Sequence, residues 1–170
     1  MLSEKKILQL FKELNKMLKK RNEKGEIGIV GGAVMCLVYK ARASTKDVDA
    51  IFSPSQSIRK LAAELAIDHG LNKDWLNDGA KAYIQPHFQR QEVLNLSNLK
   101  VWAPEAKYLL AMKCISARWD TSDRDDVIFL IRFLDIKKAT YILQIIEHYY
   151  PRRLIPAKTK FFIEEIMEDI

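Results

Sequence analysis

Apolar residues at Ile7, Leu10, Phe11, Leu14, Met17 and Leu18 recur at intervals of three and four. That spacing predicts an amphipathic helix over residues 4–21, with Ser3 as its N-cap and Gly25 beyond its end. The period then changes. Glu26–Val30 reads as a short strand, Gly31-Gly32 as a turn and residues 33–40 as a helix. Asp47–Phe52 reads as a second strand, in which alternation sends both carboxylates to one face and Val48 and Ala50 to the other. Pro54 with Ser55 or Ser57 opens a helix over residues 56–69, which turns Ile58, Leu61, Ala62, Leu65 and Ala66 inward and is closed by Gly70.

The pattern weakens over residues 71–98. Lys73–Asp78 reads as a short helical turn, and Ala82–Gln85 and Glu92–Leu96 as short strands. Leu99–Ala103 is the last predicted strand, and Pro104 suits the first turn of a helix over residues 104–118. Helical periodicity continues to the end. Ser122 and Asp125 stand at capping-box spacing ahead of Val127, Ile128, Leu130, Ile131, Phe133 and Leu134, with Asp in place of the usual Glu or Gln. Further helices are expected over Lys137–Tyr149 and Ala157–Glu168. This order predicts an α+β or α/β core with a C-terminal helical bundle, residues 1–103 and 104–170, packed as one compact unit.

Composition narrows the classes. The chain has 170 residues, 48% hydrophobic, enough for a core of its own. No apolar stretch approaches the roughly 18–20 residues of a membrane span, and residues 1–20 are charged and amphipathic, so a soluble cytoplasmic protein without membrane contact is expected. Cys36 and Cys114 sit inside apolar helical patterns and read as buried free thiols. The net charge is +6, with basic clusters at Lys16–Arg21 and Pro151–Lys160. Solvated helix faces account for them, and nucleic acid or nucleotide phosphate would also be tolerated there.

Chemistry concentrates in one stretch. Asp47 and Asp49 on one strand face would repel each other without a cation or a proton between them, and such hard oxygen donors suit Mg2+ or Mn2+. Gly31-Gly32 at a strand-to-helix turn lets backbone N–H groups approach an anion, as phosphate binding requires, though an ordinary tight turn has the same appearance. The histidines, His69, His87 and His148, are scattered, and Trp75, Trp102 and Trp119 read as packing anchors. No Ser-His-Asp, Cys-His or zinc arrangement emerges.

An apolar strand, Gly-Gly, a helix and then Thr45-Lys-Asp-Val-Asp-Ala50, with Asp47 fifteen residues after Gly32, resembles the nucleotidyltransferase superfamily related to DNA polymerase beta. Within it the chain is similar to minimal members akin to the abortive-infection (AbiE-type) toxin nucleotidyltransferases. Asp74–Asp78, Leu109–Lys113, Arg118 and Asp123–Asp126 look like family blocks, and the resemblance covers residues 26–134. It implies an α+β core with a small mixed sheet flanked by helices. It also implies an enzyme that transfers NMP from an NTP to a hydroxyl on RNA, tRNA included, or on protein, as a toxin-antitoxin-type component with a cognate antitoxin or partner protein. Asp47 and Asp49 would be the catalytic metal ligands, and Gly31, Gly32, Arg42, Thr45 and Lys46 the nucleotide contacts. Lys113 would reach a phosphate from a buried stem, unless it pairs instead with Asp123 or Asp126, which lie one helical turn apart. Glu92 is the one candidate for a third carboxylate acting as base. Without it, the alternative is a binding or regulatory module on the same fold. A glycosyltransferase is disfavoured by the short chain and by the position of Gly-Gly before the acids.

Overall fold

The computed structural model describes residues 1–117 and 122–170, so Arg118 and Trp119 lie outside the described residues. They divide into two compact units, Met1–Ala82 with Arg90–Pro104, and Tyr83–Gln89 with Glu105–Ile170. Among the described residues, seven helices and a five-stranded mixed sheet, with a second sheet of two short strands, make this an α+β protein with a polymerase-beta-like core and a C-terminal helical part.

The first unit opens with β1 (Leu2–Ser3) and α1 (Glu4–Lys20). Ser3 caps α1 by accepting a 3.3 Å bond from the Lys6 N–H, and Glu4 near the start and Lys19 and Lys20 near the end complement the helix dipole. Ile7, Leu10, Phe11, Leu14 and Leu18 are fully buried, each stabilising the fold by about 1.5–3 kcal/mol relative to exposure. Then come β2 (Gly25–Ile29), α2 (Gly31–Leu37), β3 (Ser44–Thr45), β4 (Val48–Ser53), α3 (Ser55–Asp68), β5 (Leu76–Asn77), β6 (Arg90–Asn95) and β7 (Leu99–Pro104). β1 pairs with β3, and the larger sheet has the order β5-β4-β2-β7-β6. β2 is antiparallel to β4 and parallel to β7, β5 is parallel to β4, and β6 is antiparallel to β7.

Helices cover one face of that sheet. A Cβ on Gly25 would lie 2.9 Å from Leu18 of α1 and 3.1 Å from Ile58 of α3, so Gly25, Ile27 and Ile29 face those helices. The opposite face carries Glu26, Gly28 and Trp102, and since Gly28 pairs with Ile51, it also carries Asp49 and Ser53. Gly28 is required there. A Cβ on it would fall 2.1 Å from Cζ2 of Trp102, whose indole N–H donates to Glu26 at 2.7 Å and whose ring lies 4.1 Å from the Arg90 guanidinium carbon.

Several boundaries differ from the sequence expectation, each for a local reason. Residues 73–78 form a turn and β5 instead of a helical turn. Buried Trp75 donates its indole N–H to the Ala62 carbonyl, and its own carbonyl accepts from Val48 N–H, which seats β5 beside β4. The strand expected at Ala82–Gln85 is replaced by a 3-10 turn over Gly79–Tyr83 that buries nothing. β6 has a bulge between Glu92 and Leu94, which explains its broken alternation. Pro104 ends β7 rather than opening a helix.

In the second unit α4 (Ala106–Ser116) is buried from Tyr108 to Ile115, as a helix surrounded on all sides must be. α5 (Asp123–Phe133), α6 (Ala139–Tyr149) and α7 (Ala157–Asp169) pack against it. The Ser122 side chain makes no capping bond, so the expected capping box is not formed. Cys36 and Cys114 are buried free thiols, as expected, and burial pushes the Cys114 thiol up to about 12. Among the described residues no helix is long and apolar enough to cross a membrane.

Candidate active site

β2 ends at Ile29, and the chain turns at once into α2 through Gly31, whose φ of +61° is a left-handed conformation that glycine adopts without strain. The Val30 N–H donates to the Asp49 carbonyl at 2.9 Å and ties this turn to β4. A side chain at either glycine would crowd its neighbours here. A Cβ on Gly31 would have three atoms of Asp49 as its nearest neighbours, Oδ2 at 3.2 Å first. A Cβ on Gly32 would lie 2.6 Å from Oγ1 of buried Thr45 and 3.4 Å from Nη1 of Arg42. The turn, one carboxylate, a hydroxyl and a guanidinium are thus assembled at one point. The backbone N–H groups of the first turn of α2 have no partners within their helix.

Asp49 is half-buried on β4, and its neighbours extend beyond those the motif named. Asn77 of β5 lies in register beside it. The Asn77 Oδ1 accepts from the Gly79 N–H at 2.9 Å, and a Cβ on Gly79 would meet that same oxygen at 2.9 Å and the Asp49 Oδ1 at 3.9 Å. Gly79 is therefore another position where the main chain comes close to this carboxylate. The sequence carries a signal for it, since Asn77-Asp78-Gly79 is turn chemistry. Asp78 is held by Arg59 at 3.0 Å, which keeps its carboxyl below the usual range.

Asp47 is placed differently from the expectation. β4 starts at Val48, so the alternation that aligns Asp49 with Ile51 does not extend to Asp47, which sits in the bend before the strand. It lines a concavity of about 390 Å3 with Lys46, Asn72 and Asp74. Lys46 is exposed.

Glu92 does not supply a third carboxylate beside Asp49. It pairs with Trp102 and so points to the same sheet face, but β2 and β7 separate its strand from β4. Three strand spacings of about 4.8 Å put it roughly 14 Å away across the sheet, too far to share one cation. Among the described residues no group of three or more His, Cys, Asp or Glu side chains is arranged to hold a metal ion. The Asp49 carboxylate and the neighbouring Asn77 Oδ1 are oxygen donors, which match a hard divalent cation in kind.

Of the two readings of Lys113, the structure shows the ion pair. The residue is 5% exposed, with Nζ 2.6 Å from Asp126 Oδ2 and 3.1 Å from Asp123 Oδ1, and Asp126 is 2% exposed. The ammonium is held by carboxylates on α5, so the ion-pair reading of this lysine is the one observed. His69 is a structural bridge as well, 2.7 Å from both Glu13 and Lys6, and it keeps the Glu13 carboxyl below its usual range. Trp75 and Trp102 are packing residues.

A strand, a glycine turn against a carboxylate and a second strand carrying that carboxylate define the protein as a nucleotidyltransferase-fold chain. Residues 5–157 match the model of a family described as nucleotidyltransferase of unknown function (DUF6036), and the chain belongs to that family. No curated protein and no solved structure matches it.

Proposed function

We propose that this protein is a divalent-metal-dependent nucleotidyltransferase that moves a nucleoside monophosphate from an NTP to a hydroxyl on RNA, tRNA included, or on protein. The observation that carries this reading is the contact of the Asp49 carboxylate with the left-handed Gly31 at the start of α2. A carboxylate is repelled by phosphate and would not line an anion site alone. With Mg2+ or Mn2+ bound by Asp49, and by Asp47 from the adjoining bend, the cation would neutralise triphosphate oxygens and the charge that builds up at the α-phosphorus. The N–H groups of Gly31 and Gly32 would hold phosphate oxygens, and Arg42 beside Gly32 would add a fixed positive charge. Buried Thr45 packs against Gly32, and exposed Lys46 follows it in the chain.

In the reaction the acceptor oxygen bonds to the α-phosphorus as the bond to the pyrophosphate oxygen breaks. Pyrophosphate leaves, and the acceptor proton passes to water, since Glu92 is out of reach. The toxin-like role, with an antitoxin or other partner protein and a cytoplasmic site of action, rests on the AbiE-type resemblance of the motif and belongs to this proposal. Asn77 favours a second reading. A neutral amide stands in register with Asp49 where another acid would strengthen a metal site, which suits a module that binds nucleotide and pairs with a partner without turnover.

Incubating the protein with each labelled NTP, Mg2+ or Mn2+, and total RNA or cell protein separates the readings. Transfer of label that needs the metal and disappears in Asp49→Ala supports the enzyme. Nucleotide binding with no transfer to any acceptor supports the module.

A further inference from the structure

The second unit contains a groove of its own, about 600 Å3, formed by the Tyr83–Gln89 segment, the start of α4 and one side of α6. Its wall is aromatic and rigid. Phe88 stacks on Tyr108 with ring centroids 4.1 Å apart, and Tyr108 meets Tyr149 edge-on at 5.2 Å. Glu105, the one acid in the lining, is engaged in holding that wall, its Oε1 accepting from the Tyr149 hydroxyl at 2.9 Å and from the Gln89 N–H at 3.1 Å. At the rim Tyr141 is 41% exposed, and exposed Lys107 donates to its hydroxyl at 3.1 Å. Exposed amides of Gln89 and Gln144 complete the opening.

We propose that this groove holds an unpaired nucleobase of an RNA strand. A base offers two π faces and an edge that both donates and accepts. The groove supplies aromatic rings in Phe88, Tyr141 and Tyr149, and two side-chain amides, each of which donates and accepts. An aliphatic ligand would make no use of those amides. Lys107 at the rim suits the phosphate that follows the base along the strand. None of this involves Asp49 or the glycine turn. The inference rests on the proposed transferase only in making such a strand the acceptor, so binding is tested without NTP or divalent metal.

Fluorescence anisotropy with a labelled hexamer of adenosine ribonucleotides measures it, in the intact protein and in Asp49→Asn. Tyr141→Ala should weaken binding about 5- to 100-fold, as loss of a base-stacking ring does. Gln144→Ala should weaken it less, and Lys107→Gln should lower the salt slope by about 0.7. All three positions are exposed, and circular dichroism checks that the variants remain folded. An abasic hexamer bound as tightly as the adenosine strand, or no loss in Tyr141→Ala, would overturn the proposal. AMP bound as tightly as the hexamer would overturn it too, by making the groove a pocket for free nucleotide. Hexamer binding by the intact protein with no transfer of label from any NTP would sink the enzyme reading and leave this inference standing.

Discussion

Replacing Lys113 by Met separates a structural lysine from a phosphate-binding one. Met keeps most of the apolar stem and removes the ammonium, which lies 2.6 Å from Asp126 and 3.1 Å from Asp123. Asp126 is 2% exposed, so water adds little around its carboxylate when the ammonium is removed. Breaking a buried pair from one side costs about 3–5 kcal/mol. For a chain of this length that corresponds to a fall in Tm of roughly 10 °C. Differential scanning calorimetry reads it, and Lys113→Met with Asp126→Asn should recover more than half of the loss, because the carboxylate 2.6 Å from the ammonium is then neutral as well. At a temperature where the variant is folded, transfer activity per folded molecule should be retained. A Tm within about 2 °C of the parent, together with abolished transfer, would refute the reasoning and return Lys113 to the nucleotide.

Gly28→Ala should destabilise by about 3 kcal/mol or more in urea titrations, because the Trp102 ring atoms 2.1–2.6 Å from the new Cβ must leave their place over the sheet. Gly31→Ala should cost only about 1–2 kcal/mol for its left-handed backbone, yet lower transfer at least tenfold by displacing Asp49; unchanged transfer would remove the turn from the site. Stability should fall as pH rises above about 9, since burial holds the Cys114 thiol and the Tyr108, Tyr149 and Tyr150 hydroxyls protonated in the folded state while the unfolded chain releases those protons. Urea midpoints at pH 8, 9.5 and 10.5 measure that slope. On the acid side Glu13, lowered by His69, adds stability that is present above the usual carboxyl range and lost as pH falls through its folded value, so Glu13→Gln should flatten that limb.

The helices were legible because their periods are long and their stripes regular, as in Ile7 to Leu18. Two-residue strands such as β1, β3 and β5 carry no period, and β5 exists because Trp75 reaches Ala62 and Val48, contacts that sequence spacing does not encode. Within the site, Gly31, Gly32 and Asp49 were legible because turn chemistry and strand alternation are local. Asp47 was misjudged by one residue at the start of β4, where hydrogen bonding to Trp75 sets the boundary. Asn77 and Gly79 join the site through a parallel pairing across nearly thirty residues, and Glu92 is removed from it by the strand order. Lys113 could have been read either way, since a lysine among leucines signals a buried stem but not its partner.

The central claim is that Asp49 brings a divalent cation to the Gly31-Gly32 turn. Titrating 15N-labelled protein with Mn2+ in the presence of a non-hydrolysable NTP tests it most directly through paramagnetic broadening of backbone amide signals. The account predicts that Gly31, Gly32 and Gly79 broaden first, and that Asp49→Asn abolishes the effect. Broadening centred on Asp123 and Asp126 instead, or an identical pattern in Asp49→Asn, would contradict it.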